Sequence, residues 1–220
     1  MEWAHRLNII VHICFGSIAL LLGLINMVVP KGKGLHVKTG RWYVKTMVVV
    51  VVTGLFGVLI FKRSIFLLVV TILSGYTAWS GVRTLRLKGM RPFWYDYAVP
   101  LISLGIAGGY VYYLQHTGMF WAPVVTYSIL GALFVVCLYD VLRAVMSVKV
   151  RKSFWLSEHI YKMTSSFIAI TSAFTGTVLG DYKPYSQILP GLLGWIYIIG
   201  AIVYFARRKP TPALYSRSSQ

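Results

Sequence analysis

The five histidines are the residues of this chain with the most specific chemistry, because imidazole is the commonest side-chain ligand of metals and also binds haem iron. They are His5, His12, His36, His116 and His159. His5 and His12 are seven residues apart on one helical face, which separates them by about 10 Å along the axis. A haem would therefore take its ligands from different helices, such as His36 with His159. These two are the candidate metal ligands, and b-type haem is the candidate cofactor.

Three of the histidines begin short sequence frames of similar design. The frames are HICFGSIALLLG from His12, HVKTGRWY from His36 and HIYKMTSS from His159. They resemble the HxxxGxxALxxG, HxxxGxxY and HxxxM motifs of a bacterial family of multi-helix membrane proteins with no assigned function. The resemblance covers about a third of the chain and implies no activity. It singles out His12, His36 and His159 as candidate cofactor-binding residues.

Other catalytic patterns are absent from the sequence, and no catalytic residue is predicted. There is no HExxH, phosphate-binding loop, Cys/His zinc spacing or GxSxG. Five acidic residues are too few for a chain of carboxylates that would carry protons across the membrane. The spacing predicts local ion pairs, Asp140 with Arg143 and Glu158 with Lys162, because residues three or four apart share a helix face.

The composition excludes a soluble globular domain. The chain has 220 residues, of which 57% are hydrophobic and 12% charged, and its mean hydropathy is +0.70. Soluble domains carry about 25% charged residues. A net charge of +17 would indicate nucleic-acid binding in a soluble protein. Here the basic residues separate apolar blocks, so the predicted partners are the bilayer, anionic lipid headgroups on the cytoplasmic side and other membrane proteins, with no nucleic acid.

Seven apolar stretches are long enough to cross a bilayer, since a spanning helix needs about 20 residues. They predict an all-α, polytopic bundle of seven transmembrane helices that forms a single domain over residues 1–206. The remaining residues, 207–220, are predicted to be a disordered cytoplasmic tail. The predicted helices are 7–29, 43–61, 64–84, 97–114, 122–146, 155–179 and 186–206.

The distribution of Lys and Arg predicts the orientation. With seven spans, eighteen of the 22 basic residues lie on one side of the membrane. Because cytoplasmic loops carry the excess of basic residues, this bias puts the N-terminus outside and the C-terminus in the cytoplasm. The predicted location is a bacterial inner (plasma) membrane, which the chain crosses several times.

The sixth predicted helix is the least lipid-like, and we expect it among the most enclosed. Ser172, Gly176 and Gly180 recur every four residues on it. Such a face of small residues lets another helix approach closely.

Three functions remain open from the sequence. The first is a membrane redox protein that holds or works beside b-type haem. The second is a non-enzymatic accessory or assembly subunit of a larger membrane complex. The third is a transporter of a small molecule or lipid, with a cavity beside the sixth helix.

The distance between the imidazoles of His36 and His159 tests the haem hypothesis. We expect His36 in a glycine-containing loop and His159 about one turn inside the sixth helix. A shared iron would bring their nearest ring nitrogens to roughly 4 Å, twice a metal–imidazole bond. The alternative is that each imidazole bonds to a local carbonyl or carboxylate.

The predicted orientation has a direct test. A cysteine introduced at position 90 should react with a membrane-impermeant thiol reagent from the cytoplasmic side, because the basic connections are cytoplasmic. A tag after residue 220 should be accessible from the same side. Labelling at position 90 from outside would contradict the orientation.

Overall fold

The computed structural model describes residues 2–61, 65–118, 122–143 and 145–207. Within these ranges the protein is all-helical, with seven α-helices and a short 3₁₀ turn at Gly180–Tyr182, so the seven predicted helices are confirmed. They are α1 (Glu2–Val28), α2 (Leu35–Leu59), α3 (Ile65–Leu87), α4 (Tyr95–Thr117), α5 (Pro123–Leu142), α6 (Val148–Val178) and α7 (Tyr185–Arg207). Most of the predicted tail, residues 208–220, lies outside the described residues.

Six of the described helices are long and apolar enough to cross a membrane. The exception is α6, although its 31 residues extend about 46 Å. It lacks a sufficiently apolar stretch because it carries Arg151, Glu158 and Lys162, all of them buried. The chain thus has the build of a multi-pass membrane protein, while the crossing by α6, the membrane concerned and the orientation stay predictions.

Three helices begin five or more residues earlier than predicted. Helix α1 begins at Glu2 instead of residue 7, α2 at Leu35 instead of residue 43, and α6 at Val148 instead of residue 155. The prediction followed apolar runs, but backbone hydrogen bonding continues a helix through charged residues beyond the apolar layer. One consequence concerns His36, which lies in the first turn of α2 rather than in the predicted loop.

Successive helices run antiparallel. In α1 and α2, Thr39 Oγ1 donates to Asn26 Oδ1 near one end, and His12 contacts Thr53 near the other. The later helices alternate in the same way. One end of the bundle therefore holds the C-termini of α1, α3, α5 and α7 with the N-termini of α2, α4 and α6. We call it the basic end, because most lysines and arginines lie there.

The most enclosed helix among the described residues is α3. Eleven of its 23 residues are buried, against eight of 31 in α6. It packs against α2, α4, α5 and α6, whereas α6 packs chiefly against α3 and α7. As expected, α6 is enclosed where it packs against α3 and α7. The central position of α3 was not predicted from the sequence.

Gly89 fixes the turn after α3 and yields the first structural prediction. Its φ is 87°, and a Cβ there would lie 2.6 Å from the backbone nitrogen of Lys152 in α6. Gly32 has a similar φ of 85° with nothing within 4 Å. A left-handed conformation costs a non-glycine residue about 1–2 kcal/mol. We expect Gly89→Ala to lower the unfolding temperature in detergent clearly more than Gly32→Ala, since only Gly89 adds a backbone clash; equal losses would contradict this packing.

Candidate functional site

Three ion pairs connect neighbouring helices at the basic end. They use three of the five acidic residues of the chain. The pairs are Arg83–Asp96 between α3 and α4, Lys162–Asp140 between α6 and α5, and Arg143–Glu158 between the end of α5 and α6. Ionisable residues in membrane-spanning segments are rare and mark functional sites by default. The last two pairs, with the polar groups around them, form the candidate site.

The pair of Lys162 and Asp140 is the most deeply buried. Lys162 Nζ lies 2.5 Å from Asp140 Oδ1, and only 1% of the lysine is exposed. The other carboxylate oxygen accepts hydrogen bonds from the hydroxyls of Tyr76 at 2.6 Å and Ser80 at 2.5 Å. Lys162 Nζ also donates to Thr84 Oγ1 at 3.1 Å. Three hydroxyls of α3 therefore form hydrogen bonds with the two charged groups, which are themselves held on α5 and α6.

Glu158 lies one turn before Lys162 and binds α5 instead of its own helix. Its carboxylate is 3.0 Å from Arg143 Nε, and the hydroxyl of Tyr139 donates to it at 2.8 Å. Both charged side chains are 5% exposed. The pair connects the C-terminal end of α5 to α6.

The structure corrects the predicted ion pairs. The sequence spacing indicated Asp140 with Arg143 and Glu158 with Lys162, within single helices. The observed partners are exchanged: Asp140 binds Lys162 and Arg143 binds Glu158. Helices α5 and α6 run antiparallel and face each other here, so opposite charges meet across the interface where water is excluded.

A polar stripe on α6 continues from these pairs along the helix. Glu158, Lys162 and Ser166 recur every four residues and are all buried. Ser166 Oγ donates to the carbonyl of Ser74 in α3 at 3.0 Å, and it lies 2.9 Å from the hydroxyl of Tyr43 in α2. Through this stripe α6 is hydrogen-bonded to α2, α3 and α5.

Gly81 brings α3 and α6 together beside the candidate site. A Cβ at this position would lie 2.7 Å from Met163 Sδ and 3.3 Å from Lys162 Cβ. The carbonyl of Gly81 accepts a hydrogen bond from His159 Nδ1 at 3.0 Å. The missing side chain thus allows the close approach, and the carbonyl fixes the ring of His159.

His36 and His159 lie at the same level of the bundle. Helices α2 and α6 run in the same direction, and Tyr43 of α2 contacts Ser166 of α6. Each histidine is seven residues before its member of that contact, which is about two turns or 10 Å along the axis. The helix register therefore places the two residues at a common level, with His36 on a helix and not on a loop. A shared ligand between them stays a prediction.

The two rings differ in their hydrogen bonds. His159 donates from Nδ1 to a neighbouring carbonyl, as the simpler prediction expected. The His36 ring lies against the backbone of Asn26 at the end of α1, but its buried Nδ1 makes no hydrogen bond of regular geometry among the described residues. Lys31, in the connection before α2, donates to the carbonyls of Asn26, Met27 and Val29, and burial lowers the pKa of Lys31.

His12 is far from the other two candidate histidines. Its Nδ1 lies 2.8 Å from Thr53 Oγ1. The hydroxyl of Thr53 donates to backbone carbonyls of its own helix, so its oxygen accepts the His12 proton. Thr53 is seventeen residues along α2 from His36, about 25 Å. The structure therefore does not bring His12 to one site with His36 and His159.

The three sequence motifs meet in a packed junction of α1, α2 and α6. Ala19 from the first motif and Tyr43 from the second belong to a buried cluster with Met47 and Ile170. A Cβ at Gly23 of the first motif would lie 2.2 Å from the ring of Phe167 in α6. Small and aromatic residues of the motifs thus serve helix packing, which accounts for them without any cofactor.

Metal binding by several protein ligands finds no support. Among the described residues there is no group of three or more His, Cys, Asp and Glu side chains placed to hold a metal ion. A two-histidine site of the bis-imidazole kind is not covered by that observation. No protein-family model, curated protein or solved structure matches the chain. The family resemblance of the three motifs therefore stays a prediction.

Sequence reasoning missed the contribution of α3. Its hydroxyl residues Ser74, Thr77, Ser80 and Thr84, with Gly81, are all buried. Their spacing of three or four residues is a signal of the same kind that singled out α6, and it predicts a face that packs against another helix. The spacing does not identify the partner, because Asp140 and Lys162, which these hydroxyls contact, lie on other helices.

A double-mutant cycle tests the exchanged ion pairs. Removing one partner of a buried pair leaves an unpaired charge and costs about 3–5 kcal/mol. We expect Lys162→Met and Asp140→Leu each to destabilise the protein strongly and the double variant to recover much of the loss, with a coupling free energy of about 1–3 kcal/mol. Reversible unfolding in mixed micelles measures it. The control cycle uses Lys162→Met with Glu158→Gln, and a larger coupling there would favour the local pairing.

Proposed function

We propose that this chain is a multi-pass membrane redox protein that coordinates a metal between His36 and His159, in the form of b-type haem. The observation that carries the proposal is the common level of the two imidazoles on α2 and α6. Histidine is a common ligand of haem iron, and His36 and His159 would be the residues that hold the group.

The hydrogen bonding of the two rings supports the same assignment. Metal-bound histidines commonly donate their second ring nitrogen to a carbonyl, which orients the ring. His159 Nδ1 makes such a bond to Gly81, which leaves its Nε2 for coordination. His36 has a buried Nδ1 that makes no hydrogen bond of regular geometry among the described residues. When bound, haem would supply one-electron transfer, and His36 and His159 would hold and orient it.

An absorption spectrum of the purified full chain, expressed in haem-replete cells, tests the proposal. We expect a Soret band that shifts on reduction with dithionite and disappears in His36→Ala and in His159→Ala. His12→Ala is the matched control, because it removes a partly buried imidazole about 25 Å away and should retain the band. Iron found by elemental analysis in a protein without a Soret band would indicate a bare ion and not haem. A colourless, iron-free wild-type protein, or a band that survives both substitutions, would overturn the proposal.

An accessory subunit of a membrane complex is the second candidate, and an exposed face of α4 favours it. Gly105, Gly108 and Gly109 have no atom within 4 Å of the position a Cβ would take. Faces of small residues allow transmembrane helices to pack closely. Recovery of the protein as a single species in a mild detergent that preserves other membrane complexes would count against this candidate.

A further inference from the structure

We propose that one face of α2 is a binding site for an anionic membrane lipid, with its phosphate in a basic groove and its acyl chains along the rest of the helix. The groove lies at the basic end and encloses about 470 Å³. It is lined by Gly34, Val37, Lys38, Arg41, Trp42 and Lys45. The proposal is independent of the haem hypothesis.

The charge of the groove favours a phosphate. Lys38, Arg41 and Lys45 follow each other at spacings of three and four residues, so their side chains share one helix face. None of the three forms an ion pair with a carboxylate among the described residues. Three of the five acidic residues are already engaged in the pairs at α3, α5 and α6. Phosphate groups accept charge-assisted hydrogen bonds from such clusters, and arginine can bind two oxygens at once.

Trp42 places the groove at an interface between polar and apolar surroundings. Its indole is 53% exposed, and Lys45 Nζ lies over it at 4.6 Å from the ring centroid. Tryptophan is enriched at the headgroup level of membranes. The contact also fixes the direction of the Lys45 side chain.

The same face of α2 becomes apolar immediately beyond Lys45. Val48, Val52, Phe56 and Leu59 recur at spacings of three and four residues, and each is between 44% and 67% exposed. Basic groove and apolar track lie in one line along a single helix. That order of a charged site followed by an exposed apolar track matches a phosphate headgroup with its acyl chains, and it does not match a free phosphate or a nucleic acid.

Native mass spectrometry of the detergent-solubilised full chain tests the proposal, with phosphatidylglycerol and phosphatidylcholine as probes. Basic residues near the membrane surface attract anionic lipid, and their contributions add. The Lys38→Gln/Arg41→Gln/Lys45→Gln variant should bind phosphatidylglycerol at least tenfold more weakly than wild type. The control Arg86→Gln/Lys149→Gln/Lys152→Gln removes the same charge from exposed positions at the basic end and should stay within about twofold.

Two results would overturn this site. Equal weakening in both triple variants would mean that the overall field of the basic end, and not the groove, attracts the lipid. Displacement of the lipid by millimolar inorganic phosphate or glycerol 3-phosphate would mean that the groove takes a free phosphate. Size-exclusion profiles and unfolding temperatures of the variants, compared with wild type, confirm that the proteins tested are folded.

Discussion

The exchanged ion pairs between α5 and α6 are the interaction on which the arrangement of the bundle depends. An unpaired charge at this depth would cost several kcal/mol, so Lys162 and Asp140 must face each other. This pairing determines the rotation of α6 about its own axis and its position along the axis of the bundle. It also explains why α3 is central, because its hydroxyls at Tyr76, Ser80 and Thr84 complete the hydrogen bonds of both charges. These hydrogen bonds and ion pairs hold α6 among apolar helices, although α6 itself is less apolar than the six candidate membrane spans.

The position of α6 in turn determines what can form beside α2. The contact between Tyr43 and Ser166 sets the two helices in parallel register. Two turns toward the basic end, the same register brings His36 and His159 to a common level. The packed junction with α1 accounts for the remaining residues of the three motifs. Packing and the proposed coordination therefore use different members of the same motifs, which is why substitution of the histidines alone separates them.

The small number of acidic residues affects both the interior and the surface of the protein. The chain has 22 basic and five acidic residues. Three of the acidic residues form ion pairs between helices. Lys38, Arg41 and Lys45 at the basic end form no ion pair with a carboxylate among the described residues. This excess of basic charge is the reason for the proposed lipid site on α2.

The sequence by itself determined the helical class, the number of helices and their approximate limits, because apolar runs of fixed length are a local property. It also predicted that His36 and His159 reach a common depth, from motif and side, and their sharing of a ligand stays a prediction. It failed at the first turns of α1, α2 and α6, where charged residues continue the helix, and it paired Asp140 and Glu158 with their near neighbours along the chain. Only the tertiary structure decided these partners and the hydroxyls of α3. Ion pairing in a medium of low dielectric depends on distances between helices, and no spacing within one helix contains that distance.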